Sequence, residues 1–275
     1  LLDPFDIFIE TGPTTAGWTF QGTPDLTFTP PVSPPPPSTS VVNVTQLETQ
    51  LASANVIIQT SGPAGGNGDI TVGAPISWTQ PTTLRLDASR NIIIGEAISA
   101  PQGGLTLNAI GSITTPTSYL RSDGTPVTSA APAGAINVGT FVLEGGSWTQ
   151  PGSPLPAFSA TDFRLSGGSF LRVLGGSGTS STLPSPDGIT PPVRIIDPYL
   201  ITDIYGLQGM ASTALLASHF ELANDIDASG TREWNGRAGF VPIGGPGLPN
   251  TYSGIFNGQG HSITNLVINR PGASE

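Results

Sequence analysis

Isoleucine and leucine recur along this chain at a fixed interval, and the interval constrains the fold more than any other feature. Ile70, Ile92 and Ile113 are spaced by 22 and 21, Leu84 and Leu105 by 21, and Ile76 and Ile98 by 22. Ile70, Leu84, Ile92, Leu105 and Ile113 lie in strand-like runs, read as ITV, LRL, NIII, LTL and SIT. A flat antiparallel sheet has no reason to keep one repeat length. A parallel solenoid does, because it stacks equivalent apolar positions above one another at about 4.8 Å per step. The spacing predicts an all-β chain folded as a right-handed parallel β-helix, with one coil per interval, loop excursions and one or two short helices.

Two longer echoes point the same way. Ser77-Trp78-Thr79-Gln80-Pro81 recurs as Ser147-Trp148-Thr149-Gln150-Pro151, and the Ile-Thr-Val-Gly at Ile70 recurs as Ile-Asn-Val-Gly at Ile136. Tyr119 to Pro132 and Gly175 to Pro192 read as loops that leave the stack at its corners, while Phe163, Leu165, Phe170, Leu171 and Val173 continue it. The expected organisation is an N-terminal strand segment over 1–29, a proline-rich excursion over 30–40, coils with inserted loops over 41–192, and a distinct module over 193–275, truncated at its C-terminal end. Pro34 to Pro37 cannot donate to a ladder and favour polyproline II. That stretch is expected to add nothing to the core.

Helical signals are sparse. Thr45 and Glu48 have capping-box spacing, and with Leu47 and Leu51 they predict a short helix ending near Ala54. Leu207, Met210, Ala211, Ala214 and Leu215 place one apolar stripe on a helix of about two to three turns. The period then changes to two at Phe220, Leu222 and Ile226, as a half-buried strand requires. Asn257-Gly258 and Gly260 accept positive φ and predict sharp corners between short strands.

Composition narrows the functional classes. The 275 residues include 36 Gly and 28 Pro, and only 10% are charged, so turns punctuate frequent short strands. All 9 basic residues are Arg and the net charge is −10, which leaves no basic face for neutralising phosphates and argues against nucleic acid as a partner. Cysteine is absent. No apolar run approaches the length of a membrane span, so no membrane insertion is expected.

The run Asn224-Asp-Ile-Asp, then GFVPIG, then SGIFNGQGHSITNLVI resembles the GLUG-type repeat of filamentous-haemagglutinin-like adhesins, the large exoproteins of two-partner secretion. LLDPFDIFI at 1–9 and GGNGDITV at 65–72 resemble the segment that precedes those repeats, and the two matches together span about two thirds of the chain. The resemblance implies a secreted or cell-surface adhesin segment of a Gram-negative bacterium, with host or environmental glycans or proteins as targets. It also implies an outer-membrane secretion partner acting on a domain upstream. Neither a signal peptide nor an NPNG-like secretion motif is present, so the chain reads as an internal piece of something longer, with end-to-end self-association expected at uncovered coil faces.

Side chains that can carry chemistry are few. His219 and His261 are the two histidines, and neither has the companions of a zinc site or a hydrolase triad. Asp225 and Asp227 flank Ile226 and share a strand face, an arrangement that serves either a calcium site, a glycosidase pair, or a polar corner accepting N–H bonds from the Ser229-Gly230 turn. Gly65 to Gly68 and Gly244 to Gly247 lack the following helix and Lys of a phosphate loop. Asn43-Val-Thr45 is a glycosylation sequon in form alone. Trp18, Trp78, Trp148 and Trp234 either cap the core or stack on sugars, and Trp78, Trp148 and Trp234 are the candidate ligand-facing aromatics. No catalytic residue, metal ligand or cofactor is expected. A polysaccharide-active β-helix enzyme and a structural filament or matrix subunit are the alternatives to an adhesin.

Overall fold

The computed structural model describes residues 6–29, 39–60, 67–129, 133–183, 193–244 and 251–269. The proline-rich stretch from Pro30 to Ser38, Gly65-Gly66, Pro191-Pro192, Gly245 to Gly247 and residues 270–275 lie outside the described residues. The chain is mostly β with parallel sheets, and it forms two compact units, 1–149 with 156–168 and 150–155 with 169–275. The division falls upstream of Pro191-Pro192.

The first unit contains, in chain order, β1 (Asp6–Glu10), β2 (Thr19–Gln21), β3 (Leu26–Thr29), β4 (Thr39–Asn43), α1 (Val44–Leu51), β5 (Val56–Gln59), β6 (Ile70–Val72), β7 (Ile76–Ser77) and β8 (Thr83–Ala88). It continues with β9 (Ile92–Ile94), β10 (Ile98–Ala109), β11 (Ser112–Thr114), β12 (Ser118–Leu120), β13 (Pro126–Thr128), β14 (Ile136–Leu143), β15 (Ser147–Pro151) and β16 (Phe158–Leu165). One parallel sheet runs β4-β1-β6-β9-β11-β15. A second runs β3-β5-β8-β10-β14-β16, with β2 antiparallel on β3 and β7 beside β10. Between β8 and β11 each pass of the chain supplies one strand to each sheet.

The recurrent isoleucines and leucines are register partners. Ile7, Ile70, Ile92, Ile113 and Trp148 pair in succession across the first sheet. Val56, Leu84, Leu105, Phe141 and Phe163 do the same across the second, and Ile76, Ile98, Ile136 and Phe158 form a further ladder. All but Phe158 are at most 1% exposed. Burying one such side chain contributes about 1.5–3 kcal/mol, so repetition of the ladder is the main source of stability. Toward β14 and β16 the ladders become aromatic: Phe141 stacks on Phe163 at 5.4 Å, and Trp148 meets Phe141 edge-on at 5.7 Å.

Insertions leave this register intact. Ile113 and its partner Trp148 are separated by a longer segment than Ile92 and Ile113, because an antiparallel hairpin of β12 and β13 is inserted there. Phe141 and Phe163 then return to the ordinary interval.

The two sequence echoes are not structural equivalents. Ser77 pairs with Ser99 in the second sheet, whereas Ser147 pairs with Ser112 in the first. Ile70 likewise belongs to the first sheet and Ile136 to the second. Inward and outward positions alternate on both sheets, so one short pattern satisfies either.

The outer edge of β4 is covered. Thr15 N donates to Val41 O at 3.0 Å, Val41 N donates to Thr15 Oγ1 at 2.7 Å, and Asn43 N donates to Thr14 Oγ1 at 3.0 Å. A strand added there would have to displace these bonds. Helix α1 follows directly and buries Val44, Leu47 and Leu51. Its N-cap is Asn43, whose side chain accepts from Gln46 N, and not the Thr45–Glu48 box. Glu48 is drawn away to accept from Ser77 N at 2.7 Å.

The second unit carries β17 (Ser169–Val173), the antiparallel pair β18 (Thr179–Leu183) and β19 (Val193–Asp197), β20 (Tyr199–Ile201), α2 (Ile204–Gly209), β21 (Phe220–Leu222), β22 (Ile226–Asp227), β23 (Phe256–Asn257) and β24 (Ile263–Thr264). Parallel pairing recurs in β20-β21-β23 and β22-β24. The helix expected over 207–215 is a shorter α2 followed by a 3-10 turn at Thr213–Leu215. Tertiary contact stops it. A methyl on Gly209 would collide with Phe170 O, and Ser212 Oγ accepts from Phe170 N at 3.0 Å. Buried Arg172 donates to Asp203 Oδ2 at 2.7 Å, and Asp203 Oδ1 caps α2 through Gly206 N.

Candidate functional surface

The tryptophans proposed as ligand-facing are buried. Trp78 is 5% exposed, Trp148 0% and Trp234 0%, and Trp18 is 5% exposed. Trp148 occupies the inward ladder beside Ile113, so the stack itself requires its ring to face the core. Trp78 donates from Nε1 to Thr82 O at 3.0 Å in space left open by Gly103, whose Cβ would strike the indole. Trp234 stacks on Tyr205 at 5.3 Å, and Trp18 on Phe28 at 4.7 Å. Their indole faces belong to the core, which corrects the expectation of sugar stacking at Trp78, Trp148 and Trp234.

Asp225 and Asp227 make a polar corner. Asp227 accepts from Ser229 N and Ser229 Oγ, both at 3.0 Å, and from Asn265 Nδ2 at 3.0 Å. Asp225 accepts from Ser262 N at 2.8 Å and faces His261 Nδ1 at 3.5 Å. The Asn265 amide, then Ser229, hold the Asp227 carboxyl below its usual value, and the Ser262 amide does the same for Asp225. Each carboxylate is therefore committed to neighbouring turns. Among the described residues no group of three or more His, Cys, Asp or Glu converges on a metal position. His219 is buried and its Nδ1 accepts from Ile255 N at 2.9 Å, a structural bond between two strands' ends. Asn43, the sequon residue, is occupied as the α1 cap and donates to Thr11 O and Gly12 O.

The outer face of the second sheet carries a charged cluster. Arg85 reaches Asp87 at 2.7 Å and Glu144 at 2.8 Å, and Asn108 Nδ2 donates to Asp87 at 2.7 Å. Asp87 and then Glu144 hold the Arg85 guanidinium above its ordinary pKa.

The outer face of the first sheet is different, because the inserted hairpin folds back along it and leaves a groove. Phe8, Thr71, Ile93 and Thr114 are successive register partners pointing outward from β1, β6, β9 and β11. They floor a cavity of about 330 Å³, which Asp6, Asp69 and Ser118 to Leu120 also line. Tyr119 fixes the hairpin. Its ring packs where Gly95 has no side chain, and its hydroxyl donates to Gly73 O at 3.0 Å. Glu10 holds the hairpin further along, accepting from Ser122 N at 3.0 Å and Ser122 Oγ at 2.9 Å. Sequence reasoning placed a loop at Tyr119 but gave no sign that it returns across three strands. The Gly73 and Gly95 that follow two successive strands are the signal that was available.

Among the described residues no helix is long and apolar enough to cross a membrane. No protein-family model matches the chain, and no solved structure matches it. A stretch of 79 residues, 27% of the chain, is 38% identical to Halomucin from Haloquadratum walsbyi (strain DSM 16790 / HBSQ001), and that stretch covers 1% of Halomucin's length.

Proposed function

We propose that this chain is a rigid segment of a secreted or cell-surface adhesin of the filamentous-haemagglutinin type. In this reading the first unit is a right-handed parallel β-helix, the hand that nearly all parallel β crossovers adopt. The GLUG-like run forms a second module, and the role is mechanical display without catalysis. The observation that carries the reading is the unbroken register from Ile7 through Ile70, Ile92 and Ile113 to Trp148, kept while a hairpin is inserted between the last two. A stack of this kind can be lengthened coil by coil and can vary its surface loops without disturbing the core, which suits a long display fibre. The likeness to 1% of Halomucin fits a short segment of a very long protein.

Beads carrying the folded chain, offered to epithelial monolayers, matrix-protein films and polysaccharide films, test the proposal. Retention on one class of surface, competed by free chain, is expected. Retention no greater than that of albumin-coated beads on every surface sinks the adhesive role and leaves a passive filament.

A further inference from the structure

We infer that the groove on the outer face of the first sheet binds a neutral saccharide, seated lengthwise along the Phe8–Thr71–Ile93–Thr114 ladder and held under the β12–β13 hairpin. The inference deepens the proposed adhesive role and rests on it for its biological meaning, while the site itself is argued from its geometry. The cavity of about 330 Å³ falls within the range of small-molecule sites, and three strand spacings give a floor about 14 Å long. That is an extended slot, suited to a short chain of rings.

The chemistry of the walls selects the class. Phe8, Ile93 and Thr114 are half-buried along the floor, Thr114 offering its hydroxyl, while Thr71 between Phe8 and Ile93 is only 2% exposed. Such a surface offers apolar contact to the C–H face of a sugar ring and hydrogen bonds to its hydroxyls. Asp6 supplies an acceptor and Ser118 a donor. Among the described residues no Lys or Arg lines the groove, so a uronate, sialate or phosphate would meet carboxylates. A cationic ligand is disfavoured as well, since Asp69 is already paired with Arg90 and Asp6 Oδ1 already accepts from Asp69 N at 2.9 Å. A neutral polyhydroxylated ligand is what remains.

The site is also preorganised. Tyr119 and the Ser122–Glu10 contact fix the hairpin over the ends of β1, β6 and β9, so binding requires little loop ordering. Weak affinity is expected for a single copy, with surface retention coming from repetition.

Saturation-transfer NMR on the folded full chain tests this with lactose, maltose, cellobiose and chitobiose as neutral probes and digalacturonate as the anionic one. At least one neutral disaccharide is expected to show transfer. Phe8→Ala and, separately, Thr114→Arg are expected to weaken it at least tenfold while circular dichroism and Tm show the fold retained; two variants guard against one failing to fold. Absence of transfer from every neutral probe overturns the proposal. So does transfer that both variants leave unchanged, preference for digalacturonate, or selection of peptides in place of sugars from a phage library at the same groove. Bead retention that survives both variants, with no saccharide transfer, removes this site and spares the adhesive reading. Saccharide transfer lost in both variants, with beads that never adhere, does the reverse.

Discussion

The ring of Tyr119 lies against the Cα of Gly95, in the space that any side chain at that position would fill. The two residues belong to different passes of the chain, so a single glycine decides whether the inserted hairpin can lie flat across the sheet. Gly95→Ala is expected to lift Tyr119 and cost about 1–3 kcal/mol, the usual range for overpacking. The double variant Gly95→Ala with Tyr119→Ala should cost less than the sum of the two single changes, and a thermodynamic cycle from chemical denaturation reads that difference. Strict additivity would mean that the two do not compete for one space.

Ile92 and Ile93 are neighbours in one strand with opposite fates. Ile92 is fully buried between Ile70 and Ile113, while Ile93 faces the groove. Ile92→Asp places an unpaired carboxylate in the ladder and should destabilise by several kcal/mol. Ile93→Asp should cost much less. Equal losses of Tm in the two variants would contradict the assigned register.

Alkaline pH should loosen the hairpin before the core. Burial of the Tyr119 phenol, followed by the nearby Glu96 carboxylate, pushes its pKa up to about 12 from an ordinary 10.0. A folded pKa above the unfolded one means that the contribution is complete below pH 10 and is lost as pH rises through 12. Burial raises the Tyr252 phenol as well, so ultraviolet titration should show more than one tyrosine ionising late, and Tyr119→Phe should remove one of those steps.

Acid should open the corner at Asp225 and Asp227 locally. Both carboxyls sit below the ordinary 3.8, so their hydrogen bonds to Ser262, Ser229 and Asn265 are intact above that pH and fade as pH falls through the lower folded values. The protection factors of the Ser262 and Ser229 amides, with the intrinsic pH dependence of exchange divided out, should fall below about pH 3.8, the ordinary carboxyl value, with that of Ile92 unchanged. Uniform acceleration across the chain would show that the corner does not open separately.

Excising 118–128 and closing the gap with a glycine-serine turn tests whether the hairpin is dispensable to the stack. The shortened chain should keep its far-ultraviolet spectrum and unfold cooperatively at a lower Tm, because Tyr119 and the Ser122–Glu10 contact are lost but the ladder through Ile113 and Trp148 is not. Loss of folding would make the hairpin part of the core.

Legibility divided along a physical line. Spacing between Ile70, Ile92 and Ile113, or between Leu84 and Leu105, records a constraint that acts at every pass, since each residue must meet the one stacked beneath it; periodic constraints print themselves on a sequence. Features made by one-off encounters left weaker marks. Asn43 and not Thr45 caps α1, with Glu48 bonded to Ser77, and α2 ends at Gly209 where Phe170 and Ser212 meet. The identical Ser-Trp-Thr-Gln-Pro copies fall on different sheets because local strand chemistry is the same on both.

By itself, then, the sequence determined that strands dominate, that they repeat at one fixed interval, and that Ile70, Ile92 and Ile113, Leu84 and Leu105, and Ile76 and Ile98 meet in ladders. Those properties follow from local period and from burial repeated in register. Only the tertiary structure decided that the tryptophans face inward, that the β4 edge is covered, and that a hairpin folds back over Gly95 and Gly73 to enclose a groove. Each of those depends on which distant segments come into contact, and a single contact between residues far apart in the chain has no period to betray it.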